Sequence, residues 1–73
     1  MKTYAIYDAT RKDAHEKLME IEAGNGKSAL RKFQRNHCMN SGMYEIHKVK
    51  ANCWEMSSTY GSYFYATPIE LGL

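Results

Sequence analysis

Three basic side chains recur every fourth residue in one stretch of the sequence. Lys27, Arg31 and Arg35 share a face at helical spacing, and Lys32 lies beside them. Guanidinium forks and ammonium groups in such an array suit phosphate and carboxylate oxygens. The spacing therefore predicts an anion-binding helix face, for which a solvated, purely solubilising face is the alternative.

Aromatic residues concentrate in the C-terminal third of the chain. Alternation along a strand cannot place all of them on one buried face, so some are expected to be exposed or to bury against another chain. Tyrosine and tryptophan dominate binding hot spots, although core packing and cross-strand pairing are the alternative roles. The candidate binding residues are Lys27, Arg31, Lys32, Arg35, Trp54, Tyr60, Tyr63 and Tyr65.

The histidines and cysteines do not have the spacing of a metal site. Structural zinc takes paired ligands at short separation, and His37, Cys38, His47 and Cys53 do not match that pattern. The two cysteines are expected to be free thiols in a reducing cytosol. We expect no metal and no cofactor.

Catalytic motifs are equally unsupported. Cys38 follows His37 directly, and adjacent helical residues point to different faces, so the two do not form a dyad. The run Gly26-Lys27-Ser28 resembles the end of a P-loop, but Ile21 occupies the position of its first glycine. We therefore expect a protein that is not an enzyme.

Length and charge limit the remaining possibilities. The chain has 73 residues and is expected to be a single small domain over residues 1–73. Residues 26–50 hold six basic residues and one acidic residue, although the formal net charge is only +2. Such a patch attracts anionic partners. No apolar run is long enough for a membrane span and the N-terminus does not resemble a signal peptide, so a cytoplasmic location in the host cell is expected.

The elements that position these residues follow from hydrophobic periodicity. A helix is predicted from the Asn25 cap, with Ala29, Leu30, Phe33 and His37 as its apolar stripe. Alternating patterns predict strands at 2–8, 43–51 and 63–67, with a polar loop at 8–13, a turn at 57–62 and an undecided segment at 52–58. The segment at 14–23 is compatible with a helix or a strand, and we interpret it as a strand over 17–23. The predicted fold is α+β, a small antiparallel sheet in the order β-β-α-β-β with one amphipathic helix packed on one face.

The run from Ile21 to Phe33 resembles a pattern that is frequent in short phage and mobile-element proteins. The pattern consists of a strand, an alanine, a polar turn and a helix with Ala-Leu-x-x-Phe, which corresponds here to Ala29, Leu30 and Phe33. Proteins of this kind include phage accessory proteins and some anti-CRISPR proteins. The resemblance implies a compact, non-enzymatic inhibitor or regulator that works by binding, and it does not extend to the aromatic segment.

The resulting hypothesis is a small binding protein that docks on a larger host protein with an acidic or a nucleic-acid-binding surface, such as a CRISPR effector. A nucleic-acid-binding module using the basic helix and a structural homo-oligomer are the alternatives. The relative position of the two candidate surfaces discriminates among partners. If both face the same side, a partner with an acidic, apolar-rimmed site is favoured. If they face opposite sides, a solubilising role becomes the alternative for the basic stripe.

Overall fold

The computed structural model describes residues 1–11, 14–37 and 43–70. These residues form β1 (Lys2–Arg11), β2 (Ala14–Ala23), α1 (Gly26–Asn36), β3 (Tyr44–Lys50), β4 (Cys53–Ser58) and β5 (Tyr63–Pro68). The predicted α+β class, with one helix on an antiparallel sheet, is confirmed. The segment left undecided at 52–58 forms a separate strand, which adds one strand to the predicted order.

The described strands form one antiparallel sheet in the order β2-β1-β5-β4-β3. Strands β1 and β2, which are consecutive in the sequence, form a hairpin. Strand β4 pairs with β3 on one side and with β5 on the other. The pairing of β5 with β1 in the middle of the sheet joins these two units. Consequently β2 and β3, which precede and follow the helix, lie on opposite edges.

The connection from β2 to β3 must therefore cross the sheet. Four strand spacings separate β2 from β3, or about 19 Å at roughly 4.8 Å each. Helix α1, of 11 residues, begins on Trp54 of β4, and its Phe33 packs on Phe64 of β5. Among the described residues, α1 is the one α-helix; it covers one face of the sheet and is too short and polar to cross a bilayer.

The start of α1 follows the sequence prediction. The side chain of Asn25 accepts a hydrogen bond from the Ser28 amide at 2.8 Å, as expected of a capping residue. Ala29, Leu30 and Phe33 are buried against the sheet. His37 is exposed, but its ring stacks on Phe33 with the two centroids 4.5 Å apart.

The core lies between α1 and the face of the sheet that the helix covers. Every second residue along each strand points into this core. The completely buried side chains include Ile6, Leu30 and Met56. Phe33 packs against Phe64 with a centroid separation of 5.2 Å. The buried residues of the cluster are Tyr4, Ile6, Ala23, Ala29, Leu30, Phe33, Met56, Phe64 and Ala66.

Two strand boundaries differ from the sequence prediction. The predicted loop over 8–13 is wrong for residues 8–11, because β1 continues to Arg11, which pairs with Ala14. The strand predicted over 17–23 is confirmed and begins earlier, at Ala14. Cross-strand pairing stabilises these polar residues in the sheet although their own β propensity is low.

The turns use residues that tolerate a left-handed backbone. Asn52 has a φ of 66° between β3 and β4, and Gly61 has a φ of 89° between β4 and β5. Pro68 ends β5, and the next amide, that of Ile69, donates to the Thr3 carbonyl at 3.1 Å. The predicted turn at 57–62 is confirmed for residues 59–61 and is wrong for Ser57 and Ser58, which belong to β4.

The first residue of α1 is in close contact with the sheet. A Cβ atom added to Gly26 would clash with the indole ring of Trp54. The absence of a side chain at this position therefore sets how closely the start of the helix approaches β4. In contrast, a Cβ atom added to Gly24 would meet nothing within 4 Å.

We predict that Gly26→Ala destabilises the protein by about 1–3 kcal/mol, because the added methyl group overpacks the contact with Trp54. Urea unfolding followed by tryptophan fluorescence measures the change. Gly24→Ala is the matched control and should stay within about 0.5 kcal/mol of the parent. Equal effects of the two substitutions would contradict the packing argument.

Candidate functional site

The predicted basic stripe of α1 is exposed on the outer side of the helix. Lys27, Arg31 and Arg35 are all solvent-exposed, while the opposite side of the helix is buried. Helix α1 contains no acidic residue, and within the described part of the chain none of these three side chains takes part in an ion pair. The stripe is therefore an uncompensated array of positive charge.

Lys27 lies where helix electrostatics disfavour a cation. The first turn of a helix carries a partial positive charge, which favours acidic rather than basic side chains, and α1 has no acidic residue there. The local cost is typically about 0.3–1 kcal/mol. Unfavourable local placements of this kind occur most often at functional surfaces. Lys27 is therefore a candidate binding residue rather than a residue that stabilises the helix.

Lys32 has a structural contact that separates it from the other three residues. Its ammonium group donates to the Glu22 carbonyl oxygen at 2.7 Å. This bond ties α1 to β2, and it turns Lys32 towards the β2 flank of the helix. The predicted four-residue basic set therefore reduces to a stripe of three, with Lys32 fastening the helix to the sheet.

Trp54 lies on the same side of the sheet as α1. Its indole packs on Gly26 and the side chain is half-buried. Lys48 is the register partner of Trp54 on β3, so both side chains belong to the face that the helix covers. Lys48 is not among the binding residues predicted from the sequence, because the face of an isolated lysine in an edge strand depends on the register of the sheet.

Tyr63 and Tyr65 lie on the opposite side of the sheet. They alternate with Phe64 and Ala66, which are part of the core beneath α1. The predicted aromatic set is thus divided, with Trp54 on the helix side and these two tyrosines on the face that α1 leaves uncovered.

A row of side chains crosses this uncovered face from one edge to the other. Successive register partners, one from each strand, place in line Lys17, Tyr7, Tyr65, Glu55 and His47. The ring of His15 meets Tyr65 edge-on, with centroids 5.6 Å apart. Tyr63 occupies the neighbouring row, opposite Ser57, and is 39% exposed. We call this surface the tyrosine face.

The tyrosine face also collects acidic residues. By strand alternation it carries Glu20, Glu22, Glu45 and Glu55. Glu20 pairs with Lys17, and Glu45 lies 3.4 Å from the His47 ring. The register places Asp8 and Glu16 on the helix side, and Lys17 and Lys50 on the tyrosine face. Acidic residues are therefore in excess on the uncovered side of the sheet, and basic residues are in excess on the helix side.

Tyr60 belongs to neither of these surfaces by strand register. It lies in the turn between β4 and β5, is 77% exposed, and its hydroxyl lies 3.9 Å from the Met43 sulfur. The eight residues predicted as one binding set therefore occupy separate positions around the molecule.

An open cleft that the sequence did not indicate lies at the free end of the β1–β2 hairpin. The Asp8 carboxylate accepts the Thr10 amide at 3.0 Å, and this hydrogen bond lowers the pKa of Asp8. The cleft forms where the register of β1 and β2 shifts, which no local pattern indicates. Its lining residues are Asp8, Thr10, Arg11, Ala14, Glu16, Ser62 and Phe64.

The described histidines and cysteine are dispersed. His37 bonds the Phe33 carbonyl oxygen at 3.0 Å, whereas His47 lies on the tyrosine face. Cys53 is a buried free thiol whose pKa is raised by burial, and Cys38 lies outside the described residues. In residues 1–11, 14–37 and 43–70, histidine, cysteine and carboxylate side chains form no group of three that can hold a metal ion.

Comparison with known proteins finds no matching family model, curated protein or solved structure. The small α+β fold and its two oppositely charged sides are therefore the basis for inferring function.

We predict that Glu55→Gln lowers the pKa of Tyr65. Burial raises that pKa, and the neighbouring Glu55 carboxylate raises it further because a second negative charge is unfavourable there. In the variant the pKa should fall but stay above the ordinary tyrosine value, since burial remains. Titration of ¹³Cζ-labelled tyrosine by NMR measures the change, with Glu45→Gln as the control that should leave Tyr65 unchanged.

Proposed function

We propose that this chain is a small, non-enzymatic binding protein that docks on a larger host protein through the tyrosine face and inhibits or regulates it. The observation that carries the proposal is the row of side chains across the uncovered face of the sheet, with Tyr7 and Tyr65 at adjacent central positions and Tyr63 beside them. Tyrosine gives a large, rigid contact area with a polar tip, which is typical of interface hot spots.

The sequence left two kinds of partner surface open, an acidic one and a nucleic-acid-binding one. The charge around the tyrosines favours the nucleic-acid-binding one. Glu20, Glu22, Glu45 and Glu55 lie on the tyrosine face, whereas the basic stripe of α1 lies on the other side. A partner with an acidic site does not complement this face. A basic, nucleic-acid-binding surface does, because opposite potentials across an interface favour association and register.

The resemblance of residues 21–33 to phage and mobile-element proteins supports a host nucleic-acid enzyme as the partner, of which a CRISPR effector is one example. The chain has a formal net charge of +2, so long-range attraction to a basic partner depends on the orientation of this face rather than on total charge.

We predict that a photo-crosslinking residue at position 63 captures the host protein, whereas the same residue at position 31 on the helix side does not. The position 63 side chain faces the proposed partner, and position 31 faces away from it. Mass spectrometry should identify a nucleic-acid-binding protein, and an excess of oligonucleotide should reduce its capture.

The proposal fails if position 63 captures no protein or if position 31 captures the same protein equally well. Recovery of nucleic acid alone would favour the alternative function instead. Crosslinking to a second copy of the chain, together with a dimer or larger species in light scattering at low concentration, would favour the structural homo-oligomer.

The second candidate function is a nucleic-acid-binding module. Its supporting observation is the uncompensated stripe formed by Lys27, Arg31 and Arg35 on a helix without acidic residues. Binding of this kind should weaken steeply as salt concentration rises. Absence of binding to DNA and RNA at low salt would remove this candidate without affecting docking through the tyrosine face.

A further inference from the structure

We infer that the helix side of the protein carries a binding surface for single-stranded nucleic acid, formed by Lys27, Arg31, Arg35, Lys48 and Trp54. This inference goes beyond docking through the tyrosine face and rests on the second candidate function, which it deepens. It adds Lys48 to the basic stripe, gives Trp54 a role, and commits to one form of nucleic acid.

The two flanks of α1 locate the basic stripe on the sheet. Lys32 lies on the β2 flank, since it donates to the Glu22 carbonyl oxygen. Each helical residue is rotated by about 100° about the helix axis relative to the one before it. Viewed down the axis, Lys27 is therefore about 140° from Lys32, and Arg31 is about 100° from Lys32. Both therefore turn away from β2, towards the flank that overlies β4 and β3. Arg35 is about 60° from Lys32 and lies opposite the buried side of the helix, so it points outward into solvent.

Trp54 and Lys48 lie beneath that flank. Trp54 contacts Gly26, the residue directly before Lys27, and Lys48 is the register partner of Trp54 on the same face of the sheet. Lys48 is solvent-exposed and Trp54 is half-buried. Trp54 thus contacts the residue beside Lys27 and pairs in register with Lys48.

This combination of groups is complementary to single-stranded nucleic acid. Cations bind the phosphate backbone, and a partly exposed indole offers a surface on which an unpaired base can stack. Bases inside a duplex are already stacked on each other and cannot use the ring. Glu20, Glu22, Glu45 and Glu55 lie on the tyrosine face, so they do not oppose phosphates on the helix side. Asp8 and Glu16 are register partners on the helix side, but they lie on β1 and β2, two and three strand positions from Trp54.

The binding stripe has a defined extent. Lys27, Arg31 and Arg35 are spaced four residues apart, which gives a rise of about 6 Å for each step along the helix. Backbone contacts from this stripe and from Lys48 make four cations in total. For single strands the logarithm of affinity falls by about 0.7 per neutralised phosphate, so the expected salt slope is about −2.8.

The experiment uses the intrinsic fluorescence of Trp54, which is the single tryptophan of the chain. Titration with oligothymidylate at low salt should quench it, and the blunt duplex of the same oligonucleotide should bind more weakly. The anisotropy of a labelled oligonucleotide, measured over a range of salt concentrations, gives the affinity and the slope independently of the tryptophan.

Two lysines of β3 provide a matched pair of variants. Lys48 pairs with Trp54 on the helix side. Lys50 pairs with Cys53, which precedes Trp54 in β4 and therefore points to the tyrosine face, so Lys50 lies on that face too. Both lysines are exposed, so each substitution removes one positive charge with little effect on folding. Lys48→Gln should weaken binding several-fold and reduce the size of the salt slope by about 0.7, and Lys50→Gln should change neither.

Three outcomes would overturn the inference: no quenching or anisotropy change at low salt, equal affinity for the duplex, or equal effects of the two lysine variants. Each of these is independent of the crosslinking result at position 63. Docking through the tyrosine face can therefore fail while this surface is supported, and the reverse also holds.

Discussion

The topology of the sheet imposes one constraint on which the rest of the structure depends. Strands β2 and β3 precede and follow the only helix of the described residues and lie on opposite edges. The connection must therefore cross the sheet, and its helical part, α1, packs on one face of the sheet and contacts every one of the five strands. Gly26 lets the start of that helix lie directly on Trp54, while Leu30 and Phe33 fill the centre of the core.

The same constraint produces two functional surfaces of opposite character. One helix covers one face of a five-stranded sheet, so the other face has no covering element among the described residues. Strand alternation then assigns glutamates and tyrosines to the uncovered face. The basic stripe of α1 remains on the helix side, which suits an anionic ligand, and the tyrosine face suits a basic protein surface. The two proposed activities therefore use separate sides of a small molecule and do not compete for the same residues.

Much of the fold could be predicted from local patterns. The spacing of Ala29, Leu30 and Phe33 indicated the helix, Asn25 indicated its cap, and Gly61 indicated a turn, because each of these signals acts over a few neighbouring residues. The continuation of β1 past Asp8 was missed, since polar residues there are held in the sheet by their partners. The separate strand β4 was likewise undecided, because its boundary depends on the left-handed turn at Asn52.

The candidate site illustrates where sequence information ends. The sequence by itself determined that this protein has a basic helix, surplus aromatic residues and no recognised catalytic motif, because residue type and spacing are properties of the chain alone. Tertiary structure decided which groups share a surface: Trp54 joins Lys48 and the basic stripe, Lys32 is engaged with β2, and Tyr63 and Tyr65 face the other way. The physical reason is register. A shift of one residue in strand pairing reverses the face of every side chain, and that register is fixed by contacts between segments far apart in the chain.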